Sequence, residues 1–199
     1  MLNVIIDLHN HAELSNPRAV SLGLADYIRG ARAHGVAVAI TEHNRVYDRG
    51  GTHQGVLVLP GMEVLNDYGD YLIFGAPEDA VERRDVFEFI DYVHAGGGIV
   101  VVAHPYHGSG VCRTAPDLAD RIVAAADAVE TLNANAAEES RRLAEDLAAR
   151  LGKPATGGSD AHRPGEEFRT GTRFPDDIRD VAGLVKAVKA GRCRPIQIR

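Results

Sequence analysis

Short apolar runs alternate with segments of helical periodicity along the whole chain, and this alternation restricts the fold more than any other feature. Strand-like runs read at Val4–Leu8, Val36–Thr41, Val56–Pro60, Tyr71–Phe74, Ile99–Ala103, Ala128–Leu132, Pro154–Thr156 and Pro195–Ile198. Most are almost continuously apolar, as expected of parallel strands buried on both faces. Helical faces fill the gaps. Leu22, Leu24, Ile28 and Ala31 share one face before Gly35, and Val86, Phe89, Ile90 and Val93 share another within Val81–His94. Leu143, Leu147 and Leu151 define a third helix over Ala136–Leu151, and Asp177–Ala190 a fourth that stops at Gly191. Strands alternating with helices imply right-handed βαβ units and a parallel sheet. Seven or eight strands in 199 residues favour a small closed or nearly closed barrel over an open doubly wound sheet. With no linker, repeat or low-complexity segment, residues 1–199 read as a single domain.

Composition narrows the class of partner. A formal net charge of −6, with Arg and Lys interleaved among Asp and Glu, argues against nucleic acid as a constitutive partner. No apolar run is long enough to span a bilayer, and the opening MLNVIIDLHNH lacks the basic and apolar regions of a secretory signal. Cys112 and Cys193 match no metal or redox spacing and read as reduced structural thiols, so the expected setting is cytoplasmic, away from membranes. Oligomeric state leaves no mark in the pattern.

In a parallel α/β barrel, functional side chains gather at the C-terminal ends of the strands. The first strand here ends in Asp7-Leu8-His9-Asn10-His11 and the second in Thr41-Glu42-His43-Asn44. Gly61-Met62-Glu63 follows the third, the Ile99–Ala103 run ends in His104-Pro105, and Gly157-Gly158-Ser159-Asp160-Ala161-His162 follows Pro154–Thr156. Those strand ends account for five of the nine histidines, leaving His34, His53, His94 and His107 elsewhere. His9 and His11 are two apart on extended backbone, so both can face one cation. Glu63 is placed to bridge two cations, and Asp160 and His162 can face one ion or two neighbouring ones. Imidazole with carboxylate and no thiolate suits Zn, Mn or Fe in a catalytic site. Asp7 either faces the same way as His9 or orients a ligand from behind. His34 and His94 read as helix C-terminal residues.

These residues carry a family resemblance. DLHNHA resembles the D-x-H-x-H motif of the PHP (polymerase and histidinol phosphatase) family, and TEHN its T-(D/E)-H motif. LPGMEV is similar to the P-G-x-E segment, AHPY to the third motif and GGSDAH to the fourth. VETLNAN and Thr170-Gly171-Thr172-Arg173-Phe174 resemble the small stand-alone members. The resemblance implies a distorted (β/α)7 TIM-like barrel that binds two or three Zn, Mn or Fe ions and hydrolyses phosphate esters. Under it, His9, His11, Glu63 and Asp160 hold the first metal, His104 holds the second beside Glu63, and His43 and His162 contribute to a third. Where members carry a further His for the second metal, this chain has Asp70, which reads either as a ligand favouring a harder ion such as Mn or as a turn residue after Gly69. For the third metal, Glu13 or Asn16 would have to stand in for the family's missing donor.

The expected activity is hydrolysis of a small phosphorylated metabolite or nucleotide, a phosphomonoester, by a metal-activated water. Arg18, Arg45, Arg113, Arg163, Arg169 and Arg173 fall in or near the loops of the expected rim. Arg45 and Arg163 are the first choices for a phosphate partner because each follows a metal motif closely. His107 is the candidate proton donor to the leaving group. Three alternatives remain: phosphodiester or oligonucleotide-end cleavage on the same centre, C–N or lactone hydrolysis, and a non-catalytic metal-binding barrel.

Overall fold

A computed structural model describes residues 3–12 and 20–199. Among these residues ten strands form one mixed sheet, in the order β10-β9-β1-β2-β4-β5-β6-β7-β8, with β3 attached to β4. The strands are β1 Val4–Asp7, β2 Ala37–His43, β3 Gly51–His53, β4 Val56–Asn66 and β5 Gly69–Phe74, then β6 Ile99–Val102, β7 Ala128–Asn133, β8 Ala155–Gly158, β9 Thr170–Phe174 and β10 Arg194–Gln197. Five α-helices accompany them among the described residues: α1 Leu24–His34, α2 Val86–Ala95, α3 Pro116–Ala125, α4 Glu138–Arg150 and α5 Val181–Lys189.

The sheet curls into a nearly closed barrel because alternate residues divide between two apolar layers. Ala37 and Ala39, Leu59, Leu72 and Phe74, Ile99 and Val101, and Ala128 pack into one cluster with Ile6, Leu8 and Phe174. Residues of α5 (Leu184, Ala187 and Val188) join that cluster. The intervening residues face outward. Tyr71, Ile73, Val100, Val102 and Val129 meet Phe89, Ile90 and Val93 of α2 and Ile122 and Val123 of α3. Val38, Ile40 and Val58 meet Tyr27, Ile28 and Ala31 of α1. This is the period of two expected of a pleated strand, applied around a curved wall.

Closure does not use a regular ladder. At one end, the hydroxyl of Thr172 accepts from the Gly157 amide at 2.8 Å and donates to its carbonyl at 3.0 Å, while Thr170 donates to the Gly158 carbonyl at 2.7 Å. At the other end the chain beyond β8 runs beside the chain beyond β1. The Asp160 amide donates to the His9 carbonyl at 2.7 Å and the His11 amide to the Ala161 carbonyl at 3.0 Å.

Several expectations need correction. The sheet is not all parallel: β4–β5, β5–β6, β1–β9 and β9–β10 are antiparallel, whereas β1–β2, β2–β4, β6–β7 and β7–β8 are parallel. The third run extends well beyond Pro60, because β4 continues to Asn66 and turns directly into β5 as a hairpin. The expected helix over Val81–His94 is two elements, a 3-10 turn at Glu78–Glu82 and then α2, which starts where the Asp85 carboxylate accepts from the amides of Phe87 and Glu88. β9 and α3 carry no strong apolar run and were not anticipated. Glu13, Asn16 and Arg18 lie outside the described residues.

Candidate metal centre

Interior parity delivers most of the donors. On β4 the residues sharing the face of Leu57 and Leu59 are Gly61 and Glu63, so the Glu63 carboxylate stands directly above the apolar barrel interior. Glu63 therefore sits inside a strand and not at its end. Gly61 is required beneath it, because a Cβ there would press on the Phe74 ring and on Thr41. Asp70 shares its parity with Leu72 and Phe74 on β5. Since β5 runs antiparallel to β4, its beginning reaches the rim where the parallel strands end. His43 closes β2, and His104 follows β6.

His9 and His11 come from the extension of β1, whose last ladder residue is Asp7. Tyr27 of α1 donates its hydroxyl to the His11 carbonyl at 2.6 Å and fixes that backbone. Gly158 lets β8 approach, since a methyl group at that position would overlap His9. His104, Asp160 and Asn44 all take left-handed backbone conformations, with φ of 24°, 52° and 54°. Such conformations in non-glycine residues cost free energy and persist where the surroundings over-determine them.

The side chains converge on Glu63. Its Oε1 lies 3.3 Å from His9 Nε2 and 3.1 Å from His104 Nε2, and its Oε2 lies 3.4 Å from His11 Nε2 and 3.1 Å from His43 Nε2. Asp160 Oδ1 lies 3.5 Å from His9 Nε2 and 3.3 Å from His11 Nε2. Four overlapping sets place their donor atoms within 4.8 Å of one another: His9-His11-Glu63, His9-His104-Asp160, Glu63-Asp70-His104 and His11-His43-His162. All eight residues expected to hold metal thus meet in one cluster.

The donor set fits divalent cations on two observations. Among the described residues, His9 Nε2 and His11 Nε2 are buried without a hydrogen-bond partner, although each faces carboxylate oxygens of Glu63 and Asp160. No sulfur is present, because Cys112 and Cys193 lie away from the cluster. The electrostatics agree. Burial opposes ionisation of Glu63, but the facing His9, His104 and His43 hold it well below the usual carboxylate range. Burial opposes protonation of His104, yet Glu63 outweighs it and raises the imidazole to about 9. His11 goes the other way, down to about 4, because burial dominates. Asp70 is raised, chiefly by burial. Protons on His9 and His104 thus balance the carboxylates when no cation does, and cation binding must displace them.

Glu130 was missed from sequence. It lies on β7 at the interior parity of Ala128, and its two oxygens sit 3.1 and 3.2 Å from His9 Nδ1. It also accepts from the His104 amide at 3.1 Å and from Asn133 Nδ2 at 3.0 Å. Asn133 Nδ2 reaches Asp160 Oδ2 at 3.3 Å, and Asn135 Nδ2 donates to the Asp160 carbonyl at 2.7 Å. The signal was a lone acid at an interior position of a strand-like run. Asp7 does not face the cluster: it accepts from the amides of Ser159 and Phe168 at 2.8 and 3.0 Å, tying β1 to the segment beyond β8.

His107 is exposed, with its ring centroid 5.2 Å from that of His104 and its Nδ1 3.1 Å from Ser109 Oγ. Arg45 and Arg163 are exposed, and neither side chain forms an ion pair among the described residues. Arg113 bonds the Asp67 carbonyl at 2.6 Å, and Arg169 bonds Asn135. Arg173 belongs to β9 at the other end of the barrel, not to a rim loop.

Comparison with known proteins agrees with this architecture. Residues 138–193 match the family described as PHP-associated. A two-domain protein of Bacteroides vulgatus containing a predicted PHP-like metal-dependent phosphoesterase superposes with a TM-score of 0.73 at 19% identity, over 98% of this chain and 65% of that one. The chain shares the fold of this PHP-like protein. An uncharacterized protein of Methanocaldococcus jannaschii is 32% identical to this chain over 116 residues, 54% of this chain and 64% of that relative, so the match spans less than two thirds of the relative's length. The lesion-specific endonuclease of Pyrococcus furiosus superposes on this chain with a TM-score of 0.69 at 16% identity, over 98% of this chain and 58% of the endonuclease. Among the described residues, no helix is long and apolar enough to cross a membrane.

Proposed function

We propose that this chain is a PHP-family domain and a metal-dependent hydrolase of phosphate esters, acting on the phosphomonoester of a small metabolite or nucleotide. The observation that carries the reading is the position of Glu63, with four imidazoles around its two oxygens and Asp160 opposite. A carboxylate so surrounded can serve two cations at once, and a pair of cations suits phosphoryl transfer. His9, His11, Glu63 and Asp160 would hold one cation, and Glu63, His104 and Asp70 the other. The set His11, His43 and His162 offers a third position.

When bound, the cations supply Lewis acidity at the phosphate and lower the pKa of water at the site. The remaining work falls to the chain. Glu130 holds the His9 ring by Nδ1, so that Nε2 presents its lone pair inward. Asn133 and Asn135 fix Asp160. His107, exposed beside His104, donates a proton to the departing alkoxide. Arg45 and Arg163, exposed next to His43 and His162, engage the outer oxygens or the ester group.

The second reading is phosphodiester cleavage. It is favoured by the likeness to the lesion-specific endonuclease and opposed by the net charge of −6. The two separate in a paired assay with Mn-loaded protein. Faster turnover of an aryl phosphomonoester than of the bis-aryl diester supports the first reading, and the reverse ratio supports the second. Turnover of neither by fully metallated protein points to a non-catalytic barrel.

A further inference from the structure

At the end of the barrel remote from the metal centre, β9 and β10 enclose a second concentration of charge. In their antiparallel ladder Arg173 and Arg194 are direct partners. Directly opposed residues project on the same face, and like charges in that position repel. A cavity of about 300 Å3 lies there, lined by Asn3, Arg173, Pro175, Arg192, Cys193 and Arg194. Arg192 is paired, its Nε lying 2.9 Å from Asp176 Oδ2. Arg173 and Arg194 form no ion pair among the described residues, and Arg173 Nε is buried with no hydrogen-bond partner. The chain as a whole is acidic, with a formal net charge of −6, so three guanidiniums around one cavity run against its general balance.

Two arginines paired across the ladder and lining one cavity, one of them with an orphaned buried N–H, favour an anion beside them. The guanidinium fork suits a phosphate oxygen pair, and Asn3 adds an amide at the same wall. We propose that this cavity is an anion site that takes a phosphate group, as free phosphate or as the phosphate of a small ester, separate from the metal centre. The register separates the two sites. Val4, the first residue of β1, pairs with Phe174 beside the cavity, whereas the metal donors follow the last residue of β1. The inference stands whether or not the domain hydrolyses phosphate esters.

The test is calorimetric titration of chelator-treated protein, whose metal centre cannot take the anion through a cation. Inorganic phosphate and adenosine monophosphate are the two probes, at low ionic strength. One saturable site for either supports the proposal, and the tighter probe tells whether free anion or ester is preferred. Arg194→Gln should weaken binding at least tenfold while the metal-loaded variant keeps whatever turnover the wild type has. Arg194→Glu should abolish binding and raise the Tm in phosphate-free buffer, because its carboxylate takes the anion's place beside Arg173. No saturable heat with either probe overturns the proposal. So does unchanged binding in both Arg194 variants, or binding that disappears in Glu63→Gln instead.

Discussion

His9 and Glu130 are joined across the barrel at 3.1 Å, Nδ1 to Oε1, with both side chains fully buried. Glu130 is the group that sets which nitrogen of His9 is free. With Nδ1–H donated to Glu130, Nε2, which faces Glu63 and Asp160, is the nitrogen left for a cation once its own proton is displaced. Replacing Glu130 by Gln keeps the size and removes the charge, so the fold should survive while metal binding weakens by about 10–100-fold. Competition titration with a chromogenic chelator measures this, and unchanged affinity in Glu130→Gln would leave Glu130 a purely structural residue.

In the proposed centre, Asp70 would give the second cation position an oxygen donor. Oxygen donors favour Mn over Zn relative to imidazole. Asp70→His should therefore shift the Mn-to-Zn preference toward Zn, and Asp70→Ala should lower the metal content by one ion per chain. Metal analysis after dialysis against equal Mn and Zn checks both, and a full complement of ions in Asp70→Ala would return the residue to the role of a turn.

Protons stand in for cations at this site, so pH should act differently on the metal-free and metal-loaded forms. Glu63 raises His104 from an ordinary 6.5 to about 9 against the opposing effect of burial. That contribution to stability is fully present below pH 6.5 and is lost as pH rises toward 9. Burial lowers His11 from 6.5 to about 4, which contributes stability above pH 6.5 that is lost as pH falls toward 4. Metal-free protein should accordingly have its highest Tm near pH 6.5, and saturating Mn should remove the alkaline decline. A Tm of metal-free protein that climbs steadily from pH 6.5 to 9 would contradict the assignment.

Gly158 is needed for the contact between β8 and His9. A methyl group there meets His9 and the Glu130 carboxylate. Gly158→Ala should cost about 1–3 kcal/mol of stability through overpacking and displace His9. Denaturant unfolding gives the first effect and metal affinity the second, and a variant indistinguishable from wild type in both would show that the strand can move aside.

The sequence made the donors visible where they are local. His9 and His11, Asp160 and His162, and His104-Pro105 each sit within a few residues of a strand-like run, so spacing alone placed them. The barrel was legible from the same alternation. Asp70 was legible only through family resemblance, because the antiparallel direction of β5 that brings it to the rim follows from a hairpin at Asn66–Gly69 that the apolar pattern does not reveal. Glu130 was hidden for another reason: its partner is 121 residues away, and a single acid in β7 looks like any other strand residue. β9 escaped notice because Thr170 and Thr172 use hydroxyls to close the barrel where an apolar alternation would have advertised a strand. Arg173 was read as a rim residue because β9 itself was not read.

The central claim is that Glu63 joins two cations into one hydrolytic centre, and the most direct measurement is metal content and aryl phosphomonoester turnover on the same samples of wild type and Glu63→Gln. Wild type should hold at least two Mn ions per chain and lose its turnover to chelator. Glu63→Gln should hold at most one and turn over slower by about a hundredfold or more. Chelator-resistant turnover in the wild type, or full metal content and full turnover in Glu63→Gln, would contradict the account.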